Sequence, residues 1–177
     1  MIYYIGLGSN LGPRARNLAR ARRMLEEGGA KIVAASSIYE TEPVDLPGQP
    51  WFLNQVVEVR SGPEPWALLR LARSIEAALK RRRTVAKGPR TIDIDILFAE
   101  ALVVESPDLV IPHPRLHLRN FVLLPLAEIA PDLVHPVLGR TVRELAESSS
   151  DPARAVKSRD VRAARSDRGR RQGKSKV

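Results

Sequence analysis

The chain contains no cysteine. Disulfide frameworks, thiolate metal centres and cysteine nucleophiles are therefore excluded, and the usage suits a reducing compartment. Aromatic residues make up only 5% of the chain, and no strand-like segment concentrates them. This argues against a basic α+β module that stacks RNA bases on its sheet. No apolar run is long enough to span a bilayer. Met1-Ile2-Tyr3-Tyr4 opens directly into a strand-like segment rather than a charged leader. These absences lead to the expectation of a soluble, cytoplasmic protein without a membrane partner.

At 177 residues, 44% of them apolar, the chain is long enough for one domain with a sizeable core. Its formal charge of +9 invites a nucleic-acid partner until the distribution is considered. Residues 148–177 hold ten of the 29 basic residues and three of the 20 acidic ones, so the excess over residues 1–147 is only +2. Residues 1–147 are expected to form the folded unit and residues 148–177 a basic, disordered tail. Arg, Ser, Ala and Asp dominate that tail, with almost no large apolar side chain to bury. Ala153 to Arg165 has the composition of a transient helix. Beyond weak contact of the tail with a polyanion, nucleic acid is not expected as a partner. A monomer is the expected state.

The strongest chemical signal is a pair of acids. Asp93 and Asp95 stand two residues apart in Thr91-Ile92-Asp93-Ile94-Asp95-Ile96-Leu97-Phe98, directly after the basic turn Gly88-Pro89-Arg90. Strand geometry predicts Ile92, Ile94, Ile96 and Phe98 on one face and both carboxylates on the other. Burying even part of such a pair costs several kcal/mol unless something positive compensates. Mg²⁺ is one such compensator, commonly held by one or two carboxylates together with substrate phosphates. A solvated strand face is the competing reading, although Asp is depleted in strands.

Around this strand the chain alternates in type. Ile2 to Leu7 reads as a strand, followed by the turn Gly8-Ser9-Asn10-Leu11-Gly12-Pro13. A helix comes next, with Leu18, Ala21, Met24 and Leu25 at helical spacing, and Gly28-Gly29 ends it. Lys31 to Tyr39 and Phe52 to Arg60 are β-rich and bracket a proline-rich loop, Glu40 to Pro50, too long for a plain connector. Pro63 and Pro65 introduce a second helix carrying Leu68, Leu69, Ala72, Ile75 and Leu79, which ends in Lys80-Arg81-Arg82-Arg83. After the acidic strand come a hairpin partner around Leu102 to Val104 and a helix near Phe121 to Ile129. The order strand, helix, strand, strand, helix, strand predicts an α+β fold: a ferredoxin-like βαββαβ core in a layered α/β/α sandwich with C-terminal additions.

Several motifs require weighing. Gly6-Leu7-Gly8-Ser9-Asn10-Leu11 nearly spells the dinucleotide fingerprint, but Leu11 occupies the third glycine position. It also lacks the ending of a Walker loop. Ser9 and Asn10 read either as polar lining at the strand's carboxyl end or as turn chemistry and helix capping. Lys80 to Arg83 suits any helix C-terminus. Together with Lys87 and Arg90 in the loop before the acid pair, it forms the setting a polyphosphate needs. Phe52 and Asn54 share a strand face beside the proline-rich loop, a pairing that can stack on and hydrogen-bond a flat heterocycle. Of the three histidines, His113 lies between prolines and near Arg119, within reach of phosphate.

Gly8-Ser9-Asn10-Leu11-Gly12, Phe52-Leu53-Asn54, Gly88-Pro89-Arg90-Thr91-Ile92-Asp93-Ile94-Asp95 and Pro112-His113-Pro114-Arg115-Leu116 occur in that order. In these segments the chain resembles the 6-hydroxymethyl-7,8-dihydropterin pyrophosphokinases of folate biosynthesis, over roughly residues 1–147. The resemblance implies an ATP-dependent diphosphotransferase that moves pyrophosphate from ATP to the hydroxymethyl group of a reduced pterin and releases AMP. It implies Asp93 and Asp95 as ligands for two Mg²⁺ ions bridging the ATP phosphates. Thr41, Val44, Phe52, Asn54 and Phe121 would form the pterin pocket, the ring lying between the two phenylalanines. Glu76, Arg81, Arg83, Arg90, Ile96, His113 and Arg119 would line the nucleotide side. Arg81, Arg90 and Asp95 would be the catalytic groups, Asp95 acting as proton acceptor or only as a ligand. The loops Glu40 to Pro50 and Lys80 to Arg90 would close over ATP and exclude water. The chain departs from the family pattern at Lys80, where a glycine is usual, at Lys87, where Trp is frequent, and at Phe52, where Tyr is common.

Overall fold

The computed structural model describes residues 1–44, 46, 48–60, 64–80 and 88–158. Its elements follow the alternation expected. Strand β1 (Ile2–Ser9) leads into helix α1 (Arg14–Glu27), followed by β2 (Lys31–Ala35), β3 (Tyr39–Thr41) and β4 (Phe52–Arg60). Helix α2 (Pro65–Ala78) and strand β5 (Asp93–Ala99) complete the repeat. The remaining elements are β6 (Val104–Glu105), β7 (Val110–Ile111), a 3₁₀ turn (Leu116–Leu118), α3 (Asn120–Ile129), α4 (Val142–Glu147) and β8 (Ala155–Lys157). The main sheet runs β5-β1-β4-β3-β8, with β2 also on β4, and every pairing is antiparallel. With β2 and β3 taken as one interrupted strand, this is the ferredoxin-like arrangement. Ser36 bridges the interruption: its hydroxyl accepts from Val56 N and its own N–H donates to Val56 O.

The pleat of β1 and β4 sorts side chains to two faces. Tyr3, Ile5, Leu7, Leu53, Val57 and Val59 meet Leu18, Ala21 and Leu25 of α1 and Leu68, Ala72 and Ile75 of α2, all buried. Val56 and Tyr4 turn the other way, against Val122, Leu123 and Leu126 of α3 and Val142 and Leu145 of α4. The result is a helix layer on each side of the sheet.

On β5 the expectation needs one correction. Ile92, Ile94 and Ile96 do lie in the core facing α1 and α2, but Phe98 belongs to the opposite cluster and packs edge-on against Tyr4 at 6.4 Å. The cause is a bulge: Ile5 opposes Ile96 while Tyr4 opposes Phe98, leaving Leu97 as the extra residue. One inserted residue inverts the alternation beyond it.

The segment after Ser148 also departs from expectation. Residues 149–158 run back along the sheet, and β8 pairs Ala155, Val156 and Lys157 with Thr41, Glu40 and Tyr39 of β3. Neither a solvated coil nor a helix forms there. Main-chain pairing and a Lys157–Glu128 ion pair of 3.2 Å supply the order that apolar content does not. Residues 159–177 lie outside the described part.

Lys80 follows the end of α2 with a φ of +59°, the left-handed region that side chains with a Cβ avoid at a cost of about 1–2 kcal/mol. It is also one of the positions at which a glycine is expected from the resemblance. Lys80→Gly should therefore stabilise the protein by about 1 kcal/mol, after part of the relief is offset by the greater freedom of glycine in the unfolded chain. Urea unfolding midpoints of the two proteins check it, and a lower midpoint for the glycine variant contradicts it.

Candidate active site

Gly6 and Gly8 of β1 face the α3 side and leave a trough in the sheet. In register they lie opposite Asp95 and Asp93 of β5 on one flank, and opposite Val56 and Asn54 of β4 on the other. The trough is the floor of a cavity of about 240 Å³. Its lining includes the charged and ionisable residues Asp93, Asp95, Arg90, His113, Arg115 and Arg119 together with Thr41, Val44, Phe52, Asn54 and Phe121. The glycines are what sequence reasoning missed: spaced by two on a strand, they mark a face without side chains rather than a phosphate turn.

Acids and bases are close-set on the β5 flank. Arg90 Nη1 lies 3.1 Å from Asp93 Oδ2, both side chains about four-fifths buried. The same guanidinium stands over the Phe52 ring, 5.2 Å from its centroid. Its Nε is buried with no hydrogen-bond partner among the described residues. A donor left so in a polar cavity is suited to an anionic oxygen. The Arg90 main chain is fixed by Asn10, whose Oδ1 accepts from Arg90 N at 2.8 Å and whose N–H donates to Arg90 O at 3.1 Å. Asn10 Nδ2 also donates to Gln49 Oε1 and to Pro50 O. It thus ties the acid-strand turn to the proline-rich loop. Ser9 accepts from Asn17 of α1 instead, so the turn chemistry anticipated for this pair is real, and at Asn10 it serves the site.

On the β4 flank, Asn54 Nδ2 donates to Thr41 Oγ1 at 2.6 Å. This fixes the amide and leaves Asn54 Oδ1 beside Gly8, where an added Cβ would stand only 2.7 Å from it. Gly8 is therefore required for this rotamer of Asn54. Phe121 is the second residue of α3, with the Arg119 guanidinium 5.3 Å from its ring centroid.

His113 is held by its own main chain, N–H to Leu97 O at 3.0 Å. Its Nδ1 accepts from Arg115 N at 3.3 Å, which assigns the ring proton to Nε2. Burial, then the nearby Arg119 and Arg115, push its pKa from 6.5 down to about 4, against an upward pull from Asp93. Between about 4 and 6.5 the unfolded chain binds more protons than the folded one. The neutral ring's contribution to stability is therefore complete above pH 6.5 and is lost as pH falls through 4. NMR titration of the ligand-free protein should show the His113 ring neutral at pH 6 and protonating near 4. A midpoint above 6 contradicts this environment.

Other expected site residues lie elsewhere. Ile96 packs in the core facing α1 and α2. Glu76 of α2 is buried, and its Oε1 accepts from Ile94 N at 2.9 Å, so it supports the main chain between the two aspartates. Arg81, Arg83 and Lys87 lie outside the described residues. Among the described residues no group of three or more His, Cys, Asp or Glu is placed to hold a metal ion. The donors offered are the two carboxylates, hard oxygen ligands on one strand face, a set that fits Mg²⁺ completing its shell with phosphate and water. No helix among those residues is long and apolar enough to cross a membrane.

Residues 4–131 match the family model for 7,8-dihydro-6-hydroxymethylpterin-pyrophosphokinase. The chain is 47% identical over 151 residues to a 2-amino-4-hydroxy-6-hydroxymethyldihydropteridine pyrophosphokinase of Methylorubrum extorquens, covering 85% of this chain and 94% of that protein. It is 41% identical over 148 residues to the folic acid synthesis protein Fol1 of Pneumocystis carinii, covering 84% of this chain. It spans about a fifth of that relative's length, 20%. The wild-type HPPK-DHPS of Plasmodium falciparum, solved with pterin and p-hydroxybenzoate, superposes with a TM-score of 0.66 at 21% identity, over 82% of this chain and 42% of that one. At that identity the likeness concerns the fold alone.

Proposed function

The chain belongs to the 7,8-dihydro-6-hydroxymethylpterin-pyrophosphokinase family, and from that premise we propose that it transfers pyrophosphate from ATP to 6-hydroxymethyl-7,8-dihydropterin, a step in folate biosynthesis. The pterin alcohol oxygen attacks the β-phosphorus, the bond from that phosphorus to the α–β bridging oxygen breaks, and AMP leaves. The alcohol proton passes to Asp95 or to water. The observation that carries this reading is one cavity, floored by a glycine trough, that gathers two carboxylates, three guanidiniums, two phenylalanine rings and a fixed amide.

Phe52 and Phe121 supply ring faces for a flat heterocycle, and Asn54 Oδ1 accepts from one of its edge N–H groups. Arg90, Arg119 and His113 Nε2–H donate to phosphate oxygens. His113 does so as a neutral group, without adding a buried charge. Two Mg²⁺ ions held by Asp93 and Asp95, when bound, would neutralise the triphosphate. Such a reaction requires alignment and charge stabilisation more than covalent help. Asn10 supports the alignment by tying the turn before the acids to the proline-rich loop.

Incubation with Mg·ATP and the pterin alcohol tests the proposal. AMP and pterin diphosphate should appear in equal amounts. ADP as product, or AMP formed equally well without pterin, overturns it.

A further inference from the structure

Residues 149–158 form a strap that touches both walls of the proposed pterin pocket, although they lie beyond the segment that matches the family model. At one wall the strap supplies what α3 lacks. The residue before that helix, Arg119, gives no side-chain cap. Instead Asp151 Oδ2 accepts from Asn120 N at 2.8 Å, and Asp151 O accepts from Asn120 Nδ2 at 3.0 Å. Asp151 Oδ1 is held in turn by Ala153 N. A carboxylate here satisfies one orphan donor of the helix and meets its positive end. The next residue along the helix is Phe121, so the cap fixes the turn that carries the ring.

At the other wall Arg154 exchanges two bonds with Glu42. Glu42 N donates to Arg154 O at 3.0 Å, and Arg154 N donates to Glu42 Oε2 at 2.8 Å. The Arg154 guanidinium lies 5.8 Å from the centroid of Trp51, the residue before Phe52. One residue further on, Ala155 pairs with Thr41, whose hydroxyl accepts from Asn54.

We propose that Asp151 and Arg154 are positioning residues for the pterin, holding Phe121 on one side and the segment around Glu42 and Trp51 on the other at ring-binding separation. The proposal rests on the pyrophosphokinase reading for the identity of the ring. It assigns the strap to the heterocycle side because its bonds go to Asn120, the residue before Phe121, and to Glu42 and Thr41 of the opposite wall.

The test uses the full chain with Asp151→Ala, Asp151→Asn and Arg154→Ala. By analogy with loss of a helix cap, Asp151→Ala should raise the pterin KM about five- to tenfold while kcat and the KM for Mg·ATP stay within about twofold. Arg154→Ala keeps both main-chain bonds to Glu42 and removes only the guanidinium over Trp51, so it should act in the same direction and less strongly. Asp151→Asn should recover most of the loss, since its carbonyl oxygen can accept from Asn120 N. In the ligand-free protein, Asp151→Ala should speed amide exchange at residues 120–124. An unchanged pterin KM in an active protein overturns the strap's role and leaves the reaction standing. Parallel rises in both KM values with a matching fall in Tm also overturn it, because they mark general destabilisation. A wild type that makes no pterin-dependent AMP removes the reaction itself, a separate result.

Discussion

Asp95→Ala should lower pterin-dependent AMP formation by at least about a thousandfold, equivalent to about 4 kcal/mol of lost transition-state stabilisation. Asp95 stands opposite Gly6 and Asp93 opposite Gly8, so both residues line the cavity above the glycine trough. The buried apolar side chains of this segment are Ile92, Ile94, Ile96, Leu97, Phe98 and Ala99, and neither aspartate belongs to a core cluster. Removing one of two adjacent negative charges also relieves repulsion. The melting temperature should therefore hold, which separates a chemical loss from unfolding. Asp93→Ala should be comparably inactive but should also free the Arg90 guanidinium from its 3.1 Å partner. Asp95→Asn is the informative intermediate, because an amide keeps one oxygen ligand but cannot accept a proton at neutral pH. If it retains a tenth or more of the wild-type rate, Asp95 acts through ligation and not as a base. Undiminished AMP formation in both alanine variants would falsify the assignment of these residues.

How much of this was legible in the sequence depends on which force ordered each part. The six elements of the ferredoxin-like core rest on apolar periodicity, and Leu18, Ala21, Leu25, Leu68, Ala72 and Ile75 are buried where their spacing places them. The acid pair and Arg90 are legible because three charged groups in an apolar strand and its turn conflict with local preference, and such conflicts collect at functional sites. Phe98 is misread because a bulge is set by pairing with β1, information that β5 alone does not contain. Helix α4 passed unread although Thr141 and Glu144 form a capping box, with Glu144 N donating to Thr141 Oγ1 and Thr141 N to Glu144 Oε2; only six residues follow it, too few for a period. Strand β8 is the extreme case. Its order comes from the β3 main chain and from Glu128, and burial opposes ionisation of that carboxyl. Bonds from Ser37, Tyr39 and Lys157 nonetheless hold its pKa below the usual value. None of those partners is near in sequence, so composition reads the segment as tail.

Arg90→Ala should cost about a hundred- to a thousandfold in kcat/KM, roughly 3–4 kcal/mol, and Arg90→Lys should recover only a small part. Three roles converge on one guanidinium: a partner for Asp93, a cation over Phe52, and a buried Nε without a hydrogen-bond partner among the described residues. A lysine can serve the first of these, but its compact ammonium cannot lie flat on the ring while also presenting a second donor to a phosphate oxygen. The two effects separate kinetically. Loss of the phosphate donor acts in the transition state and falls on kcat, whereas loss of the cation over Phe52 acts on ring binding and should raise the pterin KM by only a few-fold. Misplacement of the turn does not explain the deficit, since Asn10 grips the main-chain N–H and carbonyl of residue 90 whatever its side chain. Steady-state kinetics with each substrate varied, together with thermal unfolding of the same samples, checks the argument. Full activity in Arg90→Lys would show that charge alone suffices there. A fall in Tm large enough to explain the lost activity would move Arg90 from the chemistry to the fold.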